Sequence, residues 1–285
     1  MTPTFNRAMY LPQAIESVLL QTHQYFEYHV VDDGSTDDSR KIISPYLHDP
    51  RIHYHYRDHQ GTGPSRNVGL RNAKGNFICF MDSDDLWTKD KLEVQLQLLR
   101  DNPHVDIVYG DIETMDEKGA YIDRPKATRY SGYIMDKLLL DNFVTNITAM
   151  IRRRCFDELG LLDENLPRSD DYDFYLRCST RYTFFYHEKI YAKVRLLPGQ
   201  ISSNKVARMD TNKFIVERFI ETNRALLSQE LINIALYHLY MRTARVKAIN
   251  RAYCNALYNC ALAMRHSPNK GLPIIGLLKA ILLKR

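Results

Sequence analysis

Four consecutive residues carry the most chemistry in this chain. Asp82, Ser83, Asp84 and Asp85 follow directly on the apolar run Phe77-Ile78-Cys79-Phe80-Met81. Carboxylates at the end of a buried strand can hold a hard divalent cation, and that cation can clamp a diphosphate. The same residues also make an ordinary solvated turn, with Asp85 capping the next helix. A second acidic turn, Asp32-Asp33-Gly34-Ser35-Thr36-Asp37, follows the strand-like run at residues 26–31. A carboxylate there repels phosphate, yet it can accept a hydrogen bond from a nucleobase N–H or a ribose hydroxyl. Asp, Gly and Ser are equally the residues that turns prefer. A third cluster, Asp170-Asp171 with Asp173, suits a proton acceptor whose basicity is raised by mutual repulsion. It also suits a helix start, where the macrodipole favours acids.

The elements that must position these groups alternate. Residues 26–31, 52–56, 77–81 and 107–109 read as strands, and residues 39–46, 65–73 and 89–100 as helices. The run 77–81 is apolar throughout, as expected of a strand buried on both faces. Such alternation implies an α/β fold, a mostly parallel Rossmann-like sheet covered by helices, with ligands beyond the carboxyl ends of the strands. Residues 111–204 mix hairpin-like strands with one acidic helix near 170–179. Beyond Ala207 the pattern is helical. The boundaries read as a domain over 1–204, split into 1–110 and 111–204, and a helical extension over 205–285.

Among 285 residues, 45% are hydrophobic and 26% charged, which is globular usage and excludes a disordered chain. No run reaches the ~18 apolar residues of a membrane span, and no secretory leader is recognisable. The five cysteines form no CxxC pair, against a zinc ribbon or a disulfide framework. A reducing cytoplasm is the expected location. Residues 205–285 hold 14 Lys+Arg against 4 Asp+Glu, and no acid follows Leu231. The extension is therefore a basic tail on an acidic body.

Taken in order, several motifs resemble the family 2 glycosyltransferases of the GT-A fold. They are Pro3-Thr4-Phe5-Asn6-Arg7, the segment from Ala14 to Thr22, Val30-Val31-Asp32-Asp33-Gly34-Ser35-Thr36-Asp37, and Gly63 to Gly69 with Arg66-Asn67. Phe80-Met81-Asp82-Ser83-Asp84-Asp85, the segment from Arg152 to Arg154, Gly160-Leu161-Leu162-Asp163-Glu164, and Ser169-Asp170-Asp171-Tyr172-Asp173-Phe174-Tyr175-Leu176-Arg177 continue the match. The resemblance covers roughly residues 2–204. It implies an inverting transfer of a sugar from a nucleotide diphosphate donor, expected to be a UDP-sugar, to a glycan or lipid-linked acceptor. By position it implies that Pro3 lines the nucleotide pocket and Asp33 bonds the base. Arg66, Asp82 and Ser83 would lie beside the nucleotide sugar. Asp84, with Asp82, would ligate Mg²⁺ or Mn²⁺, and Asp171 would be the catalytic base. Arg177 reads as one half of a surface salt bridge on the same helix.

Three departures accompany the resemblance. The acidic pair reads Asp170-Asp171 where Glu-Asp is usual. Leu197 stands where many members carry a metal- or diphosphate-binding His, and His187 is no simple substitute. The first strand is expected to be missing, since only Met1-Thr2 precedes Pro3, and five to eight further residues upstream are expected to supply it. A catalytically inactive nucleotide-sugar-binding or scaffold protein of the same fold is the competing reading. The tail mixes tyrosines with basic residues, but helical spacing favours packing over base stacking, so no nucleic-acid partner is expected. Residues 271–285, apolar with a basic end and too short to span, are expected to meet anionic membrane surfaces. A peripheral place at the inner face of the plasma membrane in a bacterial surface-glycan pathway follows.

Overall fold

The computed structural model describes residues 1–200 and 203–266. In chain order the elements are β1 (Thr2–Thr4), α1 (Leu11–Leu19), β2 (Tyr28–Asp32), α2 (Ser39–Ile43), β3 (Ile52–Tyr56), α3 (Thr62–Asn72) and β4 (Phe77–Ile78). Next come β5 (Leu86–Trp87), α4 (Lys91–Asp101), β6 (Ile107–Met115), β7 (Tyr121–Asp123) and α5 (Met135–Leu140). Then follow β8 (Met150–Arg152), α6 (Arg154–Leu159), α7 (Asp170–Ser179), β9 (Phe184–Arg195), α8 (Lys205–Thr222), α9 (Gln229–Ile249) and α10 (Tyr253–His266). The chain forms two compact units. Met1–Ile134 with Phe143–Leu197 make the sheet-bearing unit, and Met135–Asn142 with Pro198–Arg285 make the other.

In the sheet-bearing unit β1, β2 and β3 are parallel neighbours in that order. Leu11, Ala14, Ile15 and Val18 recur at helical spacing on α1, which gives it one apolar stripe. That stripe shares a core with Tyr28 and Val30 of β2 and with Leu92, Leu96 and Leu99 of α4. The remaining strands form a mixed sheet, β4-β8-β6-β9-β5, with β7 on β6. The expected mostly parallel arrangement thus holds for β1–β3 and for the β6–β9 pair. The β6–β7, β6–β8, β4–β8 and β5–β9 pairs are antiparallel. The turn joining β6 to β7 is too short for a crossover, so that pair can only be a hairpin.

The first strand is present, contrary to expectation. Thr2, Pro3 and Thr4 lie opposite Val30, Val31 and Asp32. The Asp33 N–H donates to the Thr4 carbonyl at 2.8 Å on one side, and the Met81 N–H to the Met1 carbonyl at 2.9 Å on the other. Bonds from a strand alternate in direction, so Pro3, in phase with Met1, costs no bond to β2. Three residues therefore suffice to seat the strand, although they are too few to show a period. A cavity of about 160 Å³ adjoins it, lined by Met1, Glu27, Tyr28, His29, Ile78 and Cys79 among others.

His29 faces that cavity from β2 and is 4% exposed. Its Nδ1 meets His55 Nε2 at 3.0 Å and its Nε2 meets Glu27 Oε2 at 3.2 Å. Its ring stacks on His53 with centroids 4.9 Å apart. Burial pushes the His29 imidazole down to about 4, against an opposing pull from Glu27. Across the core, the indole N–H of Trp87 donates to the Ile147 carbonyl at 2.9 Å. The ammonium of fully buried Lys91 sits 4.2 Å above the Trp87 ring and donates to the Ala149 carbonyl. Burial lowers the Lys91 pKa.

The second unit is helical. Asn204 and Ser228 cap α8 and α9, their side chains accepting from the N–H groups of Ala207 and Leu231. Its bases find acids within the unit: Lys247 pairs with Asp210 at 2.6 Å, and Arg242 with Asp141. Tyr240 is buried and donates to Glu217 at 2.7 Å, so it is a packing residue. No helix among the described residues is long and apolar enough to cross a membrane. Residues 271–285, expected to contact membranes, lie outside the described residues.

Candidate active site

The nominated residues lie on β1, at the carboxyl end of β2, on α3, on the segment after β4 and at the start of α7, and Arg66 joins the last two of these segments. Asp33 is 3% exposed. Its carboxylate accepts from the N–H groups of Gln60 at 3.1 Å and Gly61 at 2.7 Å, and meets His59 Nδ1 at 2.8 Å. Asp33 thus braces the loop after β3. Gly34, at φ +81°, is required here, because a Cβ would stand 2.9 Å from the His59 nitrogen. Phe5 follows β1, is 38% exposed, and stacks on His59 with centroids 4.0 Å apart. This flat exposed pair was not foreseen from sequence.

Asn6 holds left-handed backbone at φ 52°. It is kept there because its Oδ1 accepts from the Thr36 N–H at 2.8 Å and its own N–H donates to Ser35 Oγ at 3.0 Å. The Arg7 N–H in turn donates to Ser39 Oγ at 3.2 Å. The Arg7 side chain reaches the acidic loop, its Nε donating to Asp84 Oδ2 at 3.2 Å. No local pattern in the sequence assigns Arg7 this contact.

Arg66 projects from α3 and is buried. Its Nη1 donates to both carboxylate oxygens of Asp170 at 3.0 Å, and its Nη2 to Asp82 Oδ1 at 3.0 Å. The guanidinium lies 5.5 Å over the Phe80 ring. Arg66 Nε is buried without a partner. Burial opposes the charge, but Asp170, Asp82 and Asp171 outweigh it and raise the Arg66 pKa. Burial raises Asp82 despite Arg66, with Asp84 adding to the rise. Burial, then Asp82 and Asp84, push Asp85 well above the usual carboxylate range. Asp171 opens α7 beside Asp170. Burial and the Asp170 charge raise it to about 6, with Arg66 and the Tyr172 N–H opposing. Ser83 is buried between the aspartates, and Pro3 is half-buried on β1.

No local pattern in the sequence marks Arg195. It ends β9 at 1% exposure. Its N–H donates to Asp85 Oδ1 at 2.8 Å, its Nε to the Asp84 carbonyl at 2.9 Å, its Nη1 to the Glu117 carbonyl at 2.8 Å, and its Nη2 to Gln13 at 2.7 Å. The guanidinium also lies 5.0 Å over the Tyr10 ring. The acidic loop is therefore fixed by its main chain. Arg177 pairs with Asp173 as read, and also donates to the Leu159 and Leu161 carbonyls at 2.8 Å. It ties the loop before α7 rather than decorating a surface. His187 meets the Tyr191 hydroxyl, eight residues short of Arg195 on the same strand.

Among the described residues no group of three or more His, Cys, Asp or Glu is arranged to hold a metal alone. The oxygen donors of Asp82 and Asp84 suit a hard cation whose remaining ligands come from a bound phosphate. Arg7 shows that the site already attracts positive charge.

Residues 1–160 match Glycosyl transferase family 2. An uncharacterized glycosyltransferase of Rickettsia felis is 34% identical over 214 residues, which cover 75% of this chain and 34% of that protein. The chain thus spans about a third of the length of that relative. The putative teichuronic acid biosynthesis glycosyltransferase TuaG of Bacillus subtilis is 32% identical, covering 72% of this chain and 81% of TuaG. Among solved structures, S. aureus TarS 1-349 in complex with UDP-GlcNAc matches with TM-score 0.60 at 19% identity, over 92% of this chain and 88% of that one. The mannosyltransferase PcManGT from Pyrobaculum calidifontis, in complex with GDP-Man and Mn²⁺, matches with TM-score 0.66 at 16% identity, over 100% and 79%.

Proposed function

The chain belongs to glycosyl transferase family 2 and has the GT-A fold, and from that premise we propose that it inverts a sugar as it moves it from a UDP-sugar to a hydroxyl of a glycan or lipid-linked acceptor. The observation that carries this is the double engagement of Arg66, which joins the acidic loop at Asp82 to Asp170, the neighbour of Asp171. One buried guanidinium thereby sets the leaving-group side and the base side of a displacement at a fixed separation.

Asp171 takes the proton from the acceptor hydroxyl as its oxygen bonds to the anomeric carbon. The bond from that carbon to the diphosphate oxygen breaks, and the electron pair leaves with the nucleotide diphosphate. A pKa of about 6 leaves Asp171 ionised yet basic at neutral pH. Asp84 and Asp82 would hold Mg²⁺ or Mn²⁺, which when bound supplies positive charge to the departing diphosphate. The base stacks on the exposed Phe5–His59 pair beside Pro3, and its N–H takes the place of the His59 ring on Asp33. Arg66 Nε and the Ser83 hydroxyl are donors for the ribose or phosphate. Bacterial surface polysaccharide is the acceptor class that TuaG suggests, with the membrane approach through residues 271–285. Incubation with a panel of nucleotide sugars, Mn²⁺ and a bacterial glycan extract, followed by mass spectrometry, tests the reading. Product should form with the intact chain and vanish in Asp171→Asn while UDP binding persists. UDP binding without any transfer or donor hydrolysis would favour the inactive-scaffold reading.

A further inference from the structure

Arg7 occupies the position where cation and diphosphate must both arrive, and its geometry is built rather than incidental. Its main chain is fixed on one side by Asn6 in left-handed backbone and on the other by Ser39. Ala8 adds a third tie, its N–H donating to Asp37 at 3.0 Å. Nε engages Asp84 at 3.2 Å and Nη1 the Asn6 carbonyl at 3.2 Å. The side chain is 31% exposed, against 12% for Asp84. The base thus sits on the solvent side of the acid. Asp84 stands beside Asp82 and Asp85, where a nearby positive charge is favourable, and Arg7 brings one to its carboxylate.

We infer that Arg7 is an exchangeable counter-ion: it neutralises Asp84 before the donor arrives, and moves onto the donor's diphosphate when a divalent cation takes Asp84. Guanidinium and diphosphate match as a fork and its acceptor, and the Arg7 side chain, 31% exposed, is open to a ligand from solvent. The inference rests on the reading that Asp84 faces a nucleotide diphosphate. It gives cation and nucleotide an obligatory interdependence. A cation arriving alone must displace a charge-assisted bond and then stand beside an unpaired guanidinium, whereas a cation arriving with diphosphate leaves Arg7 a new acceptor.

The test is binding, not turnover. Free Mn²⁺ is read by electron paramagnetic resonance, and UDP or inorganic diphosphate by calorimetry, for the whole chain and for Arg7→Met and Arg7→Lys. Arg7→Met should bind Mn²⁺ alone about tenfold more tightly and UDP with Mn²⁺ about tenfold more weakly. Arg7→Lys, which keeps the charge, should stay near the wild type for Mn²⁺ alone. An opposite-signed pair of shifts is beyond a merely structural salt bridge, whose loss would weaken both ligands together. Shifts of the same sign, or both within twofold in a variant with an unchanged melting curve, would overturn the inference while leaving the donor reading intact. Absence of any UDP binding by the wild-type chain would take down that reading and the inference with it.

Discussion

Acidification should destabilise the sheet-bearing unit through His29. The imidazole is neutral in the fold, with its pKa depressed from the ordinary 6.5 to about 4. A depressed histidine leaves stability intact above pH 6.5, and the loss grows as pH falls toward 4 because the unfolded chain takes up the proton first. Between pH 8 and pH 5 the single-site expression gives a loss of about 2 kcal/mol, a large share of the ~5–15 kcal/mol that holds a domain. The groups facing His29 explain the direction. A cation there would stack on His53, lose the neutral contact with His55 and adjoin the Met1 amino group, and Glu27 only partly compensates. Carboxyls raised in the fold, Asp171, Asp82 and Asp85, bind protons more readily folded than unfolded and so push the other way. The measurement is therefore a difference: urea unfolding of wild type and His29→Gln, followed by far-ultraviolet circular dichroism at pH 8, 7, 6 and 5. The wild-type advantage at pH 8 should shrink by about 2 kcal/mol at pH 5. Parallel curves would show that His29 is not held neutral.

Three further outcomes are expected. The value of kcat/KM should fall below pH 6, as protonation of Asp171 removes the base, and Asp171→Asn should lose about 10²-fold or more in kcat with little change in UDP affinity; a pH-independent rate would exclude it as the base. Arg195→Met should cost about 2–5 kcal/mol, since it removes the side-chain donor from the buried Asp84 and Glu117 carbonyls, at about 1–3 kcal/mol each, while the main-chain N–H of residue 195 still serves Asp85; a melting temperature within a degree of wild type would contradict that bracing role. Deleting residues 271–285 should reduce flotation with anionic liposomes and leave neutral ones unaffected; equal flotation would remove that segment from membrane contact.

What was legible in the sequence was local. Asp33, Asp82, Asp84 and Asp171 stand at strand ends or a helix start, so a few neighbouring residues place them. Arg66 was legible only as part of a motif, and its bridge from Asp82 to Asp170 spans 104 residues on one side. Arg195 to Asp84 spans 111 and Arg7 to Asp84 spans 77, and no periodicity links such pairs. The first strand failed for a related reason. Its three residues carry no pattern of their own, and its existence is decided by hydrogen bonds offered by Asp33 and Met81. The grouping of residues 135–142 with the C-terminal helices likewise depends on packing against α9 and on Arg242 meeting Asp141.

The chain holds one tryptophan, and its placement makes the protein its own spectrometer. Trp87 lies two residues past Asp85, with its indole N–H fixed on Ile147 and an ammonium poised over its ring. The ammonium is held over the ring by cation–π attraction, so the indole keeps a defined polar neighbour. Trp87 belongs to β5, which starts directly after Asp85 and pairs with β9, so the acidic loop and the fluorophore are joined through neighbouring residues of one strand. On the proposed reading, titrations of Mn²⁺ and UDP into the unlabelled chain should therefore register at this one fluorophore.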